Sequence, residues 1–180
     1  MTEAPDVRVV VVSGPICAGK TSLARALQTR FDAEILSARA ELLRLSDHSE
    51  MSRGALLKLG LEIESSTSGK WIADAVRSAV GETTRPLVVI DAARTMAQLE
   101  GIRSLPLRTQ CVHLTSSYAV RRARYASPAS DTSAESFDAV SAHPTETGAD
   151  DLRRVAELVI DTSHLALETV ASIASQFLVD

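Results

Sequence analysis

The chain has 180 residues, of which 45% are hydrophobic and 23% charged, and its formal net charge is −4. These values are typical of one soluble globular domain, which at this length buries roughly 70% of its unfolded surface. The negative net charge argues against general electrostatic binding of nucleic acid. No apolar run approaches the about 20 residues that span a membrane. Segment 1–6 lacks the features of a signal peptide, so we expect a cytoplasmic protein.

Strands and helices alternate along the chain. The β-branched run over 7–12 predicts a strand that is buried on both faces. Helical spacing of apolar residues begins at Gly19, and a short apolar stretch follows at 33–36. The later predicted elements are helices over about 38–46, 51–64 and 68–80, a strand over 86–91, a helix from Thr95 to about Leu105, a strand over 110–114, a helix that carries Arg121, Arg122 and Arg124, a strand over 158–161 and a helix over 164–178.

The strongest motif is Gly-Pro-Ile-Cys-Ala-Gly-Lys-Thr at 14–21, between the first strand and the first helix. The spacing G-x-x-x-x-G-K-T in that context predicts a P-loop. Backbone N–H groups of such a loop surround a β-phosphate, and the helix N-terminus adds positive potential. We therefore expect ATP to bind here, through Gly14, Pro15, Ile16, Cys17, Ala18, Gly19, Lys20, Thr21 and Ser22.

The P-loop and the alternating elements together predict an α/β fold: a three-layer α/β/α P-loop NTPase fold with a central parallel five-stranded sheet and a small helical lid. We expect a single domain over 1–180, with a helical insertion at about 37–82 and the lid at about 117–150. Residues 126–151 contain no Lys or Arg, and we expect one or two short helices within them.

Lys20, Thr21 and Asp91 are the candidate catalytic and metal-binding residues. Lys20 would supply positive charge to the β- and γ-phosphates, and the Thr21 hydroxyl would be a ligand of Mg²⁺. Asp91 ends the predicted strand over 86–91. From that position an acid reaches Mg²⁺ or accepts a proton from the substrate, and the sequence leaves both roles open.

Two other classes of P-loop protein do not fit the sequence. A GTPase should carry an Asn/Thr-Lys-x-Asp motif and an Asp-x-x-Gly switch, and neither occurs in the chain. The candidate for the second motif is Asp91-Ala92-Ala93-Arg94, which lacks the glycine. An AAA-type motor needs a helical lid domain and a longer chain. A kinase is therefore the expected class.

Beyond the P-loop, spaced segments resemble the nucleoside monophosphate kinase superfamily, including phage-type deoxynucleoside monophosphate kinases and dephospho-coenzyme A kinase. The stretch from Arg53 to Gly60 is similar to the phage-type Arg-x-x-Leu-x-x-x-Gly. Segment 91–94 is similar to the family's Asp-Gly-x-Arg. Segment 35–44 lies where adenylate kinases carry Ser-Thr-Gly…Leu-Arg, with spacing one residue longer.

The resemblance implies that the insertion at about 37–82 binds the acceptor. Either Arg39 or Arg44 would hold an acceptor phosphate, and Trp71 is a candidate for stacking on a base. The implied substrate-binding residues are Ser37, Arg39, Arg44, Arg53, Trp71 and Arg94. The implied lid arginines with a catalytic role are Arg121 and Arg124, which share a helix face.

We expect an enzyme that moves the γ-phosphoryl group of Mg-ATP to a (deoxy)nucleoside monophosphate or a related nucleotide. The alternative is a kinase for a hydroxyl group of a nucleoside, cofactor precursor, sugar or antibiotic, with Asp91 as general base. A nucleotide-gated binding protein also stays open, because the lid has few cations. The expected partner is a small-molecule acceptor, and a homodimer stays open. A nucleic acid acceptor is disfavoured by the net charge.

Overall fold

The structure is a computed structural model that describes residues 7–46, 50–127 and 136–179, with the backbone alone at Arg53 and Thr145. The expectations for segment 1–6 and for part of the lid, 128–135, lie outside the described residues. None of the helices in the described segments is long and apolar enough to cross a membrane.

Five parallel strands form one sheet in the order β2-β3-β1-β4-β5. The strands are β1 (Arg8–Ser13), β2 (Glu34–Ser37), β3 (Leu87–Asp91), β4 (Thr109–Thr115) and β5 (Leu158–Asp161). The predicted central sheet of five parallel strands is therefore confirmed.

The helices lie close to their predicted positions, except that three short helices begin in the described part of 126–151, where one or two were predicted. Those before the lid are α1 (Lys20–Phe31), α2 (Ala38–Leu45), α3 (Arg53–Thr67), α4 (Lys70–Glu82) and α5 (Met96–Arg103). Those of the lid and the C-terminus are α6 (Tyr118–Tyr125), α7 (Phe137–Ser141), α8 (Pro144–Thr147), α9 (Ala149–Leu152) and α10 (Leu167–Val179). Hydroxyl groups cap several N-termini: the side chains of Ser37, Ser52, Thr95, Ser117 and Ser136 each accept a backbone N–H from the first turn.

Apolar side chains cover both faces of the sheet, which explains the continuous β-branched run of β1. Val10 and Val12 belong to a core cluster that includes residues of α1 and α10. Val9 and Val11 point to the opposite face, in a cluster with residues of α4 and α5. All four valines are fully buried. The three-layer α/β/α fold is thus confirmed, because successive strand residues face opposite helical layers.

The carboxyl ends of β1, β2 and β3 meet at one edge of the sheet. In the register of the strands, Ser37 pairs with Asp91, and Val12 of β1 pairs with Asp91 from the other side. The P-loop begins directly after β1, so it lies next to Asp91, and Ser37 is one strand further along the same edge. A crevice outside the carboxyl ends of parallel strands is where open α/β sheets bind their ligands.

The lid, here the segment from α6 to α9, packs on the P-loop through a small apolar cluster. Ile16 of the P-loop belongs to a buried cluster with Tyr125, Phe137 and Val140. The rings of Tyr125 and Phe137 are 5.4 Å apart between centroids. Burial of these side chains holds the described part of the lid next to the phosphate loop.

Candidate active site

The first glycine of the P-loop lies against the end of β4. Gly14 has a φ of +136°, and a Cβ there would lie 2.3 Å from the backbone oxygen of Leu114. Both the angle and the contact exclude any other residue at this position. The motif's first glycine is therefore required by packing, because the loop must turn beside the neighbouring strand.

Lys20 lies inside the P-loop and donates a hydrogen bond from Nζ to the backbone oxygen of Pro15, at 2.8 Å. Burial and, to a smaller extent, the positive charge of Arg94 lower the pKa of Lys20, which lies at about 8. The charges of Glu146 and Asp91 act in the opposite direction. Four charged side chains thus influence one another at the P-loop, and a bound polyphosphate would favour the protonated amine.

A cavity of about 690 Å³ opens beside the P-loop, between α1 and the helices α2 to α5. Phosphate-site residues form one wall, and side chains of α3 and α4 form another. The predicted site residues on its lining are Ile16, Cys17, Gly19, Lys20, Thr21, Ser22, Ser37, Arg39, Trp71, Asp91 and Arg94. The fold thus brings the phosphate loop, Asp91 and much of the expected acceptor region to one space.

A second cavity of about 220 Å³ lies on another side of the P-loop. Gly19 and Ser22 line both cavities, so the two spaces adjoin the same loop. The other walls of this second cavity include the apolar side chains of Leu165, Leu167 and Val170. This space is of a size and polarity that suit a flat heterocyclic base.

Arg94 and Glu146 connect the segment after β3 with the lid. An Nη1 hydrogen of Arg94 is donated to Oε1 of Glu146, whose side chain is 1% exposed. The backbone N–H of Arg94 is also bound, to Oε1 of Gln98 at 2.8 Å. The arginine is therefore held from both sides, and its charge is balanced by a buried carboxylate.

No protein-family model matches the sequence, and no curated protein sequence matches it. Solved structures do resemble it. The shikimate kinase of Acinetobacter baumannii, in complex with shikimate, is 18% identical, with a TM-score of 0.63 over 97% of this chain and 94% of that one. The APS kinase of Mycobacterium tuberculosis, in complex with AMPPNP and APS, is 12% identical, with a TM-score of 0.62 over 98% and 99%.

A tunicamycin resistance protein of Deinococcus radiodurans is 21% identical, with a TM-score of 0.60 over 95% of each chain. This chain has the P-loop kinase fold. At identities this low, the structural similarity establishes the fold alone, and the substrate has to be argued from the site. The similarity extends over nearly the full length of the chain and of each of these three structures.

Within this P-loop kinase fold, the predicted acceptor arginines lie in different surroundings. Arg39 lines the cavity at the start of α2. Arg44 is exposed and forms an ion pair with Glu41, with 2.6 Å between Nη2 and Oε1. Between the two arginines that the sequence left open, only Arg39 is on the cavity wall in the described part of the chain. The side chain of Arg53 lies outside the described residues.

Arg124 of the lid is turned toward the P-loop. Its Nη1 donates to the backbone oxygen of Cys17 at 3.1 Å, and its Nη2 donates to the backbone oxygen of Thr162 at 2.7 Å. The Thr162 hydroxyl in turn lies 2.9 Å from the backbone oxygen of Ala18. Arg124 therefore joins the lid, the P-loop and the loop after β5.

Arg121 makes different contacts from Arg124, although it lies three residues earlier on the same helix. Its Nε donates to the backbone oxygen of Ser116 at 3.2 Å. Its guanidinium carbon lies 5.6 Å from the ring centroid of Phe137 and 6.0 Å from that of Tyr118. In this arrangement Arg121 packs on the aromatic side chains of the lid.

Two carboxylates of the site have no counterpart among the predicted residues. Glu64 of α3 lines the cavity and accepts hydrogen bonds from Trp71 and Gln98. Glu64 follows Gly60 by four residues, so the two lie on one face of α3, and this spacing could have identified Glu64 as a site residue. Glu146 had no such signal, because its contact with Arg94 joins residues 52 positions apart.

Proposed function

We propose that this protein is an ATP-dependent kinase that phosphorylates a hydroxyl group of a small molecule. The observation that carries the proposal is that Lys20 and Asp91 line the same cavity of about 690 Å³, which has room for an acceptor. Phosphoryl transfer requires the donor and acceptor in line within one enclosed space.

The nucleotide would lie across the P-loop between the two cavities. Its base would occupy the smaller cavity against Leu165, Leu167 and Val170, and its phosphates would follow the loop toward Lys20. The lysine supplies positive charge to the terminal phosphates. This placement leaves the larger cavity for the acceptor.

The oxygen donors needed for Mg²⁺ are present at the same place. The Thr21 hydroxyl and the Asp91 carboxylate both line the larger cavity, and hard oxygen ligands are those that Mg²⁺ prefers. These two residues would hold the ion, directly or through water. When bound, Mg²⁺ neutralises charge on the phosphates.

The chemistry of an alcohol acceptor gives Asp91 a second role. As the alcohol oxygen bonds to the γ-phosphorus, its proton passes to the Asp91 carboxylate, and the bond to the bridging oxygen of ADP breaks. A phosphate acceptor is already anionic and needs little help from a base. The position of Asp91 at the end of β3, on the cavity lining, supports the alcohol.

Three arginines favour the hydroxyl acceptor over the monophosphate acceptor. Arg94 is paired with buried Glu146, Arg44 is paired with Glu41 on the surface, and Arg124 is bound to backbone oxygens. A phosphate acceptor would need such groups turned toward it. The names of the similar structures, a shikimate kinase among them, support a kinase for a small molecule.

The test is a coupled assay for ADP release over nucleosides, sugars and other alcohols, with nucleoside monophosphates and dephospho-coenzyme A as rival acceptors. We expect ADP release with an alcohol and its loss in Lys20→Met. Activity that survives in Lys20→Met would contradict the phosphate site. Absence of ADP release with every acceptor would favour the nucleotide-gated binding protein.

Asp91→Asn separates the two kinds of acceptor. At saturating Mg²⁺, a loss of about 10²–10⁴-fold in kcat is expected for an alcohol, because general base catalysis contributes that much. A loss of only a few-fold would instead favour a phosphate acceptor. Saturating Mg²⁺ is needed because impaired metal binding would otherwise imitate a missing base.

A further inference from the structure

We infer that the acceptor has an apolar body and no anionic group, and that it donates a hydrogen bond to Glu64 while its reactive hydroxyl faces the P-loop. This inference rests on the proposed function and concerns the substrate class of the same cavity. The network around Glu64 and the distribution of charge on the cavity walls are the two observations behind it.

The wall that α3 and α4 contribute is apolar apart from one residue. Its members are Leu56, Leu57, Gly60, Leu61, Glu64 and Trp71, and Leu42 of α2 adjoins them. Leu61 is 40% exposed, and Leu42 lies close enough that a Cβ on Gly60 would be 3.5 Å from it. Apolar side chains around an open space favour a ligand with apolar surface of its own.

Glu64 is the exception on that wall, and it is held in place by neutral donors. Nε1 of Trp71 lies 3.0 Å and Nε2 of Gln98 lies 2.9 Å from Oε2 of Glu64. The hydroxyl of Thr95 donates to Oε1. A carboxylate has about four acceptor sites, so these three donors leave one for a ligand.

No cation of the described residues lies within ion-pair distance of the Glu64 carboxylate. No ion pair among the described residues includes it, and its three hydrogen-bond donors are neutral. A carboxylate or phosphate on the acceptor, placed at this wall, would therefore face an uncompensated negative charge. A hydroxyl, amide or ammonium hydrogen would be attracted.

The cationic side chains of the cavity belong to other elements. They are Lys20 and Arg25 of α1, Arg39 at the start of α2, and Arg94 after β3. Lys20 and Arg25 belong to the helix that follows the P-loop, where the triphosphate brings its own negative charge. Among the described residues, α3 and α4 contribute no cation to the cavity lining. They contribute apolar side chains and the carboxylate of Glu64, and the acceptor would lie against them.

Trp71 provides a measurement that does not depend on turnover. It is the sole tryptophan of the chain, it lines the cavity, and its Nε1 donates a hydrogen bond to Glu64. Binding of an acceptor at this wall should change its fluorescence. Titrations would be made with Mg²⁺ and a non-hydrolysable ATP analogue present.

The probes are two matched pairs that differ in charge. One pair is 3-phenylpropane-1,2-diol and 3-phenyllactate, which share a carbon skeleton, and the other is thymidine and thymidine monophosphate. We expect the diol to bind at least about tenfold more tightly than the hydroxy acid, because the acid would face the carboxylate of Glu64. Thymidine should likewise bind more tightly than its monophosphate.

The variant Glu64→Gln should reduce that preference to less than about threefold, since the negative charge is gone while the size is kept. Glu62→Gln is the matched control on the same helix. The side chain of Glu62 is 63% exposed and lies 4.0 Å from Lys58, so its variant should keep the preference of the wild type. If Glu64→Gln does not fold, the preference of the wild type for the uncharged probes over the anionic ones still tests the inference.

Tighter or equal binding of the anionic member in either pair would overturn the inference. So would a failure of both uncharged probes to bind, or an unchanged preference in a folded Glu64→Gln. The proposed function fails separately: selective binding of uncharged probes with no ADP release from any acceptor would refute the kinase and leave standing only the preference of the cavity for uncharged ligands. ADP release with an anionic alcohol such as 3-phenyllactate, and with no uncharged alcohol, would do the reverse, because the hydroxyl kinase would stand and the inference would fail.

Discussion

The guanidinium of Arg94 is bound to the buried carboxylate of Glu146, although the two residues are 52 positions apart. Arg94 follows β3 directly at the edge of the cavity, and Glu146 lies in α8 of the lid. The pair therefore connects the lid to the edge of the sheet that borders the larger cavity. The negative charge of Glu146 also offsets the repulsion between the positive charges of Arg94 and Lys20.

Glu146→Gln should reduce stability and phosphotransfer together. We expect a loss of about 1.5–3 kcal/mol in the free energy of unfolding, as for other hydrogen bonds to charged groups. The activity should fall because Arg94 loses its partner and the lid its attachment. The measurements are urea unfolding and steady-state ADP release.

The control for this variant is Asp151→Asn, which removes an ion pair with Arg154 in which the side chains are 60% and 83% exposed. A change of at most about 1 kcal/mol is expected there, because exposed ion pairs contribute little. Equal effects of the two substitutions would show that burial of Glu146 has no energetic role.

Arg124→Gln should weaken nucleotide binding and also lower the free energy of unfolding. The arginine holds the backbone oxygens of Cys17 and Thr162, and a shorter neutral side chain cannot reach both. We expect an increase of about tenfold in the dissociation constant of the ATP analogue, equivalent to about 1.4 kcal/mol, because the P-loop would lose its support at Cys17. Calorimetric titration measures this constant.

Arg122→Gln is the matched control on the same helix, because Arg122 is exposed. Its dissociation constant should stay within about twofold of the wild type, as expected for a surface substitution far from a network. A similar increase in both variants would indicate that the charge of α6 matters and the specific contacts do not.

Acid should destabilise the fold through His113. This side chain is fully buried behind the P-loop, with Nδ1 at 2.9 Å from Oγ of Ser13, and burial lowers its pKa to about 4. Below pH 6.5 the unfolded chain therefore binds a proton that the folded chain does not. Stability falls as the pH decreases from 6.5 toward 4, and it is restored above 6.5.

Between pH 7 and pH 4.5, we expect the free energy of unfolding of the wild type to fall by about 2 kcal/mol more than that of His113→Asn. The asparagine keeps a polar group near Ser13 and cannot take up the proton. Urea unfolding at the two pH values measures the difference. Parallel losses in the two proteins would assign the acid sensitivity to other groups.

Gly69→Ala should be strongly destabilising. Gly69 joins α3 to α4 with a φ of +78°, and an added Cβ would lie 2.6 Å from the backbone carbon of Ala97 in α5. We expect a loss of more than about 2 kcal/mol in the free energy of unfolding, from the strained angle and the backbone clash. Urea unfolding provides the value.

Gly81→Ala, within α4 itself, should have the opposite effect on stability. A Cβ on Gly81 meets nothing within 4 Å, and alanine favours a helix by up to about 1 kcal/mol over glycine. We therefore expect a gain in stability at this position. A loss at Gly81, or no loss at Gly69, would contradict the packing described for α4.

The sequence determined the architecture and the position of the P-loop, because both depend on short-range patterns. The valines of β1 specify a doubly covered strand, and the spacing of 14–21 specifies a loop between that strand and a helix. Asp91 could also be placed, because a strand's last residue lies at the edge where parallel strands end. Local sequence contains all of this information.

Only the tertiary structure decided how the charged side chains of the site are paired. Arg121 and Arg124 share a helix, yet one packs on Phe137 and the other holds Thr162. The pairing of Arg94 with Glu146 and the hydrogen bond from Trp71 to Glu64 join separate segments of the chain. Such contacts depend on the packing of distant elements, since a long polar side chain binds whichever partner the fold brings within reach, and sequence spacing does not encode that partner.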